Sequence, residues 1–476
     1  MSNPLQTVAT LAAAADATAP HQVTGWITWL FFVLLVAMIA CLALEEKLHA
    51  KKSVIVGAFA VVSLLLGAFL HVLPFGYTDV KLPGDHVFHL PVFIPAVEWS
   101  VITIILGSSL FVDVTSKSGL FTWIAIKFTK LSRGDPLILL IYYCVMTVVF
   151  SAVLNNVTAM IIVGSLSAVS LGKLGRRDKL LAFLLIEGLL TNIGGLLTLI
   201  SSVPNIIVGT TAGISFVTFF IKAAPYVAVA TAATVWLGAK LFQIRRLTDA
   251  DEIIAAQQQV DGFDENDGVE SVGFFWFAAA MLVAFIVFIA GASFDGWPVG
   301  QLGMGFVAMA FGVVMLIRYK HDVGEFYQAV DWDLLFFFVF LFVTIFALEM
   351  AGVLALIGTW IRPILGLGET TGGGLLLVAS SVASSVTDNI PLAAMLAKIL
   401  KANPDVSFDS RFWWSVIFGA NLGGNLTPIG SASTLVAVTI MHKHELKMTF
   451  IDFIKAALPF AALHIVLAVA YVLVVL

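Results

Sequence analysis

The chain has 476 residues, 60% hydrophobic and 12% charged, with a mean hydropathy of +1.02. Soluble domains are about 25% charged, so this composition excludes an ordinary soluble fold and indicates an all-α polytopic membrane protein. The net charge of −5 says little by itself, because in such a chain the placement of charge matters more than its sum.

Residues 1–25 contain no Lys or Arg and read as an external, translocated tail, with a cleaved signal as the alternative. A membrane span needs about 17–25 apolar residues. Trp26–Leu44, Ser53–Leu73 and, after a polar loop, Glu98–Ser116 meet that length. Leu120–Lys130 mixes aromatics with Lys127 and Lys130, as an interfacial helix would. Leu137–Gly172 is too long for one span and has Asn155-Asn156 at its centre, so a re-entrant hairpin fits better. Leu180–Gly209 is a broken span, interrupted by Asn192-Ile193-Gly194-Gly195 and by Ser201-Ser202-Val203-Pro204-Asn205, and Phe216–Leu241 completes a first repeat over 26–242.

Residues 243–270, rich in Asp, Glu and Gln, read as a solvated cytoplasmic linker. The order then recurs over 271–476. Val272–Ala290, Leu302–Ile317 and Asp333–Met350 are spans, and Leu354–Ile361 is an interfacial piece. A second hairpin, Gly373–Leu400, has Asp388-Asn389 near its centre; Trp413–Met441 is broken, and Ala456–Leu476 closes the chain. Trp26, Trp123, Trp413 and Trp414 suit interface anchoring.

The recurrence is visible in the letters. Gly119 matches Gly352, Asn156 matches Asn389, and Phe220-Ile221-Lys222-Ala223-Ala224 recurs as Phe453-Ile454-Lys455-Ala456-Ala457, all at an offset of 233. Asn192-Ile193-Gly194-Gly195 aligns with Asn421-Leu422-Gly423-Gly424 at 229. Each repeat has five crossings plus a hairpin that does not cross, and an odd number inverts the second repeat relative to the first. With both termini outside, 19 of the 25 Lys and Arg residues fall on the cytoplasmic side and 6 outside, as the positive-inside rule requires.

The two hairpin tips and two breaks carry the polar chemistry. Broken helices at membrane depth are tolerated where they are buried in protein or line a wet cavity. Glycine pairs give the backbone freedom, and Pro204 and Pro428 free carbonyls. Asn155, Asn156, Thr158, Asn192, Ser201, Ser202, Asn205, Thr387, Asp388, Asn389, Asn421, Asn425, Thr427, Ser431 and Ser433 are the candidate substrate- and ion-binding residues. These hard oxygens suit Na⁺ at the tips and breaks, proton relays or small oxyanions rather than a transition metal. Half-helix N-termini aimed at the centre would favour an anion, and freed carbonyls a cation. Asp388, Glu187 and His464 are the candidates for proton coupling, whereas Asp113 and Glu349 lie towards span ends and read as solvated. Cys41 and Cys144 lie in apolar segments and provide neither a disulfide framework nor a thiolate cage.

Leu154-Asn155-Asn156-Val157-Thr158, Thr387-Asp388-Asn389-Ile390-Pro391, Asn192-Ile193-Gly194-Gly195, Pro204-Asn205-Ile206 and Gly423-Gly424-Asn425-Leu426-Thr427-Pro428-Ile429-Gly430-Ser431 resemble the ion transporter superfamily. That superfamily includes arsenite permeases, NhaD-type sodium/proton antiporters and citrate-transporter-like permeases. The resemblance covers about residues 26–476 and implies an inverted-repeat carrier with scaffold and transport domains, often a homodimer moving as an elevator. Two departures remove carboxylates: Asn155-Asn156 stands where relatives often have Asp-Asn, and Ser202-Val203-Pro204-Asn205 where they often have Gly-Asp-Pro-Pro-Asn.

The expected function is a secondary active transporter coupling Na⁺ or H⁺ to movement of a small ion, an inorganic or carboxylate anion, by alternating access. A Na⁺/H⁺ antiporter using Asp388 and a passive channel are the alternatives. The expected setting is a bacterial-type inner (plasma) membrane. Beyond the coupling ion no cofactor is expected, and the partners are a small ion and membrane lipids, with no nucleic acid. No paired catalytic acids, zinc motif or Ser/His constellation suggests an enzyme.

Overall fold

Residues 23–73, 77–81, 87–269, 271–294 and 296–476 are described in a computed structural model, so the expected tail lies almost wholly outside the described residues. The first half starts with α1 (Gly25–Ala43) and α2 (Lys52–Phe69), then an antiparallel ribbon of β1 (Tyr77–Lys81) and β2 (Val87–Pro91). Next come α3 (Trp99–Lys117), α4 (Leu120–Leu131), the hairpin arms α5 (Pro136–Val153) and α6 (Asn156–Lys173), the half-helices α7 (Leu180–Gly195) and α8 (Val203–Thr211), and α9 (Phe216–Leu241). After α10 (Ala250–Asp261) the second half runs α11 (Val272–Gly291), α12 (Gly303–Leu316), α13 (Trp332–Met350) and α14 (Val353–Leu365). The hairpin α15 (Gly368–Val386) and α16 (Asn389–Lys401), the broken pair α17 (Arg411–Gly423) and α18 (Ala432–Lys443), and α19 (Phe450–Val474) complete it. Ten of the described helices are long and apolar enough to cross a membrane.

Local chemistry sets the turns that matter. Asp135 accepts the amides of Leu137 and Ile138 and Pro136 occupies the first helical position, so α5 starts sharply. The chain turns extended at Leu154, and Asn155 then caps α6 by accepting from the Thr158 amide at 2.8 Å. In the second hairpin Thr387 is extended, and Asp388 caps α16 by accepting from the Ile390 amide at 3.0 Å. Gly119 and Gly352 both turn the chain left-handed, with φ of 78° and 76°, between equivalent helix pairs. A Cβ on Gly119 would also sit 2.4 Å from the Gly268 carbonyl oxygen.

The halves exchange partners. α2 of the first half packs on α13 of the second, and the counterpart α12 packs on α3. Likewise α8 packs on α16, and α18 on α6, while α9 and α19 meet each other. These reciprocal contacts interlock the two halves. The α3–α12 crossing is backbone on backbone: a Cβ on Gly107 would lie 2.4 Å from the Ala308 carbonyl carbon, and one on Gly312 would lie 3.0 Å from the Gly107 oxygen. Without small residues two membrane helices could not approach so closely.

Three expectations need correction. Residues 243–270 are not simply a solvated linker: Asp249 caps α10, whose Ala256 and Val260 are buried, and Phe263 is buried after it. Glu265 accepts from Lys127 and Lys130 on α4, and the Lys173 ammonium lies 4.3 Å from the Phe263 ring centre. The Lys130 hydrogen bond is the main reason the Glu265 carboxyl is held down at about 2. Trp413 and Trp414 are core residues rather than interface anchors: both are buried, Trp413 donates to Ser407 O, and Trp414 packs on Phe219. Finally, α19 starts at Phe450, before Ala456, because Thr449 caps it.

Candidate functional site

Each hairpin is fastened to the broken helix of its own half by the same two bonds. Ser151 Oγ donates to Thr191 O and Thr198 Oγ1 to Ala152 O; Ser384 Oγ donates to Ala420 O and Thr427 Oγ1 to Ser385 O. The glycines explain how the backbones come so close. A Cβ on Gly194 would lie 2.7 Å from Val148 Cα, and one on Gly423 would lie 2.2 Å from Ser381 O. Gly195 leaves room for the Asn156 amide, which a Cβ there would approach to 2.8 Å.

The breaks also bond across the seam between the halves. Asn192 Nδ2 donates to Asn425 Oδ1 at 2.8 Å and to Ser431 Oγ at 3.0 Å, while Asn156 Nδ2 donates to Asn192 Oδ1 at 3.3 Å. Thr191 Oγ1 meets Ser433 Oγ at 2.8 Å. On the other side, Ser202 Oγ donates to Asn421 Oδ1 and Asn421 Nδ2 to Asn205 Oδ1 at 2.8 Å. Asn205 Nδ2 and Ser201 Oγ in turn satisfy the Gly195 carbonyl freed where α7 ends.

These elements surround a cavity of about 340 Å³, within the size range of small-molecule sites. Tip one lines it with Asn155, Asn156 and Thr158, and tip two with Asn389 and Ile390. The first break contributes Asn192, Ser201 and Ser202, and the second Ser431 and Ser433. Thus α6, α8, α16 and α18, two from each half, all begin at its wall. The first-turn amides of a helix have no partner within the helix, and its N-terminus carries about half a positive charge. Four N-termini around one cavity therefore set their partial positive charge against the two carboxylates of its wall, Asp113 and Asp331, and no Lys or Arg among the described residues lines it.

The remaining expected residues sit elsewhere. Asn205, Asn421, Asn425 and Thr427 are buried behind the wall as bracing, and Thr387 bonds back to Ala383 O. Asp388 turns away from the cavity: Oδ2 is 2.7 Å from Lys52 Nζ on α2. That ion pair is next to a vestibule lined by Glu45, His49, Lys51, Lys52, Asp331 and Asp333. Glu187 is neither interfacial nor at the cavity; it is fully buried in α7, where Ser167 Oγ donates to Oε1 at 2.5 Å. His464 is fully buried behind Asn425. Glu349 remains at a span end, paired with Lys398 at 2.6 Å.

Sequence reasoning missed two carboxylates. Asp113 lines the cavity from α3 instead of being a solvated span end, and Asp331 lines it just before α13 while capping that helix through the Leu334 amide. The available signal was their spacing from the repeat: Asp331-Trp332 stands 233 residues after Glu98-Trp99, at a helix start, and Asp113 lies one turn before Lys117.

A helical membrane protein with paired hairpins and broken helices around a central polar cavity is a transporter in architecture, not an enzyme. Solved structures of the same fold include the Alcanivorax borkumensis YdaH transporter, with TM-score 0.59, 13% identity and coverage of 89% of this chain and 98% of that one. Neisseria gonorrhoeae MtrF, described as illuminating a class of antimetabolite efflux pumps, aligns with TM-score 0.54, 16% identity and 90% and 95% coverage. Among sequences, an uncharacterized transporter of Mycobacterium tuberculosis is 29% identical over 79% of this chain and 86% of its own length. Residues 39–417 match the family CitMHS, citrate transporter, and the chain belongs to that family.

Proposed function

We propose that the protein is a secondary active transporter that moves a small carboxylate anion by alternating access, coupled to Na⁺ or H⁺. The observation that carries this reading is the meeting of four helix N-termini at one cavity where no Lys or Arg among the described residues lines the wall, and where Asp113 and Asp331 leave a place for a coupling cation or proton beside the anion. Fixed backbone dipoles attract an anion yet, unlike a lysine, hold it without a full counter-charge, which favours release on the far side. Membership of a citrate transporter family supports a carboxylate over an inorganic oxyanion. The coupling cation or proton is assigned to Asp113 and Asp331, the carboxylates at the cavity wall, with the neutral oxygens of Asn155, Ser201 and Ser431 available to Na⁺.

The reciprocal packing of the halves and the 19-to-6 charge count support an inverted repeat with both termini outside. On that orientation the cavity and its vestibule, which share Asp331 and Ala432, face the cytoplasm. The hairpins and broken helices form the moving unit, and a homodimer supplies the scaffold.

The test is labelled citrate in proteoliposomes, with Na⁺ and pH gradients imposed separately. Saturable uptake that follows one gradient is the expected result. A pH change driven by a Na⁺ gradient alone, without anion, would replace this reading with antiport. Fluxes above about 10⁵ ions per second would replace it with a channel, since a carrier needs a conformational step on a μs–ms or slower scale.

A further inference from the structure

Behind the cavity runs a file of amides that ends on a fully buried imidazole. Asn156 lines the cavity and donates to Asn192, Asn192 donates to Asn425, and Asn425 Nδ2 lies 3.2 Å from His464 Nδ1. Beyond the ring, His464 Nε2 is 2.7 Å from Thr234 Oγ1. A side-chain amide can sit either way round, so the sense of such a file is set by the groups at its two ends.

Thr234 is one such end. Its Oγ1 is also 2.6 Å from Ala230 O, and with the hydroxyl proton on that carbonyl it offers His464 a lone pair. In that arrangement Nε2 carries the ring proton, Nδ1 is left as an acceptor, and Asn425 turns its NH₂ to the ring. Asn425 therefore shows its oxygen to Asn192, and Asn192 its oxygen to Asn156. Asn156 ends the file with its oxygen on the Ser151 hydroxyl at 2.6 Å, one N–H on Asn192 and a second N–H that has no hydrogen-bond partner among the described residues. No charged side chain among the described residues bonds to the ring; Tyr226 donates to the His464 carbonyl instead, and Glu187 on the adjoining α7 faces Ser167. No matching file runs from tip two: the residue equivalent to His464 is Thr231 in α9 of the first half, which bonds to its own helix at Val227 O.

We infer that His464 is a positioning residue: held by Thr234 in its neutral Nε2–H form, it fixes the sense of the Asn425–Asn192–Asn156 file so that Asn156 offers an N–H to the bound anion. The ligand in this statement rests on the anion reading above, but the geometry does not. His464 touches no substrate; it decides whether the cavity wall donates or accepts at tip one.

The experiment is solid-state ¹⁵N NMR on the full chain in lipid nanodiscs at pH 7, with histidine and asparagine side chains labelled. His464 is expected as the Nε2–H tautomer. Thr234→Val removes the fixed acceptor, so the ring should pass to Nδ1–H and the Asn156 side-chain amide signals should move, while Thr234→Ser should preserve both. In citrate binding, Thr234→Val and His464→Leu should lose roughly three- to tenfold in affinity, the scale of one hydrogen bond. His464→Gln should restore it, because Gln offers an oxygen to Asn425 and an N–H to Thr234. An Nδ1–H or cationic ring in the unmodified protein, or Asn156 signals unmoved by Thr234→Val, overturns the inference. If the unmodified protein fails to bind citrate, the anion reading falls, and the NMR outcomes still decide the role of His464.

Discussion

Asp388 and Lys52 meet at 2.7 Å with side chains 11% and 34% exposed, tying the tip of the second hairpin to the start of α2. Breaking a buried ion pair from one side costs about 3–5 kcal/mol, and an exposed pair is worth about 0.2–1. Asp388 is close to the first case, but Lys52 opens onto the vestibule and is screened, so we expect a coupling of about 1–2 kcal/mol. The pair can be dissected cleanly. Asn caps helices about as well as Asp, so Asp388→Asn removes the charge while the Ile390 amide keeps its acceptor. Lys52→Met keeps the packing of the stem, and although it also loses the 4.0 Å approach to Glu45, the double-mutant cycle subtracts that term. The assay is reversible unfolding in mixed micelles of the parent, both single variants and the double variant. The double variant should recover about 1–2 kcal/mol relative to the sum of the singles, and the recovery should shrink in 1 M salt, where the Debye length is about 3 Å. Single effects that add within about 0.5 kcal/mol would refute the argument. In transport, freeing tip two should change the citrate KM in both single variants in the same direction.

Asn156→Ala and Asn389→Ala should each weaken citrate binding about two- to tenfold, one hydrogen bond's worth, and unchanged affinity in both would remove the tips from the site. Gly423→Ala drives a Cβ to within 2.2 Å of Ser381 O and should destabilise by about 3 kcal/mol or more, whereas Gly172→Ala, with no atom within 4 Å, should be neutral or mildly stabilising; similar thermal midpoints would contradict the hairpin packing. Glu265 is held at about 2 against an ordinary 4.5, so its docking of 243–270 onto α4 is fully present above about pH 4.5 and is lost as the pH falls from there towards 2. Protease cleavage within 250–270 should therefore rise over that window, and in Glu265→Gln it should be raised already at pH 7, with no further step on acidification.

The helices, hairpins and breaks were legible because lipid makes polar residues conspicuous. Asn155-Asn156, Asp388-Asn389 and the two Asn-x-Gly-Gly runs interrupt apolar sequence where only a cavity or a protein interior can accept them. What a lone sequence could not give is the partner across the fold. Asp388 looked like the free carboxylate of an ion site because Lys52, 336 residues away, carries no local sign of meeting it. Asp113 looked solvated for the same reason: its position in α3 is near a span end, and only the fold shows that it borders the same cavity as the two tips. Residues 250–261 were a different kind of miss, since the Asp249 cap and the spacing of Ala256 and Val260 were readable, but the acidic composition masked a short amphipathic helix.

The α3–α12 crossing has a consequence for how the protein is made. Gly107 on α3 packs against the backbone of Ala308 and Met309 on α12, and α12 begins 186 residues after α3 ends. At about 5–20 residues per second, a ribosome needs on the order of ten to forty seconds to deliver it. During that interval α3 stands in the bilayer with the face around Gly107 uncovered by α12, and α2 likewise waits for α13. Neither half can complete its packing before the other is synthesised. Two fragments divided between residues 243 and 249 should therefore assemble when made together, and each made alone should be cleared by membrane quality control.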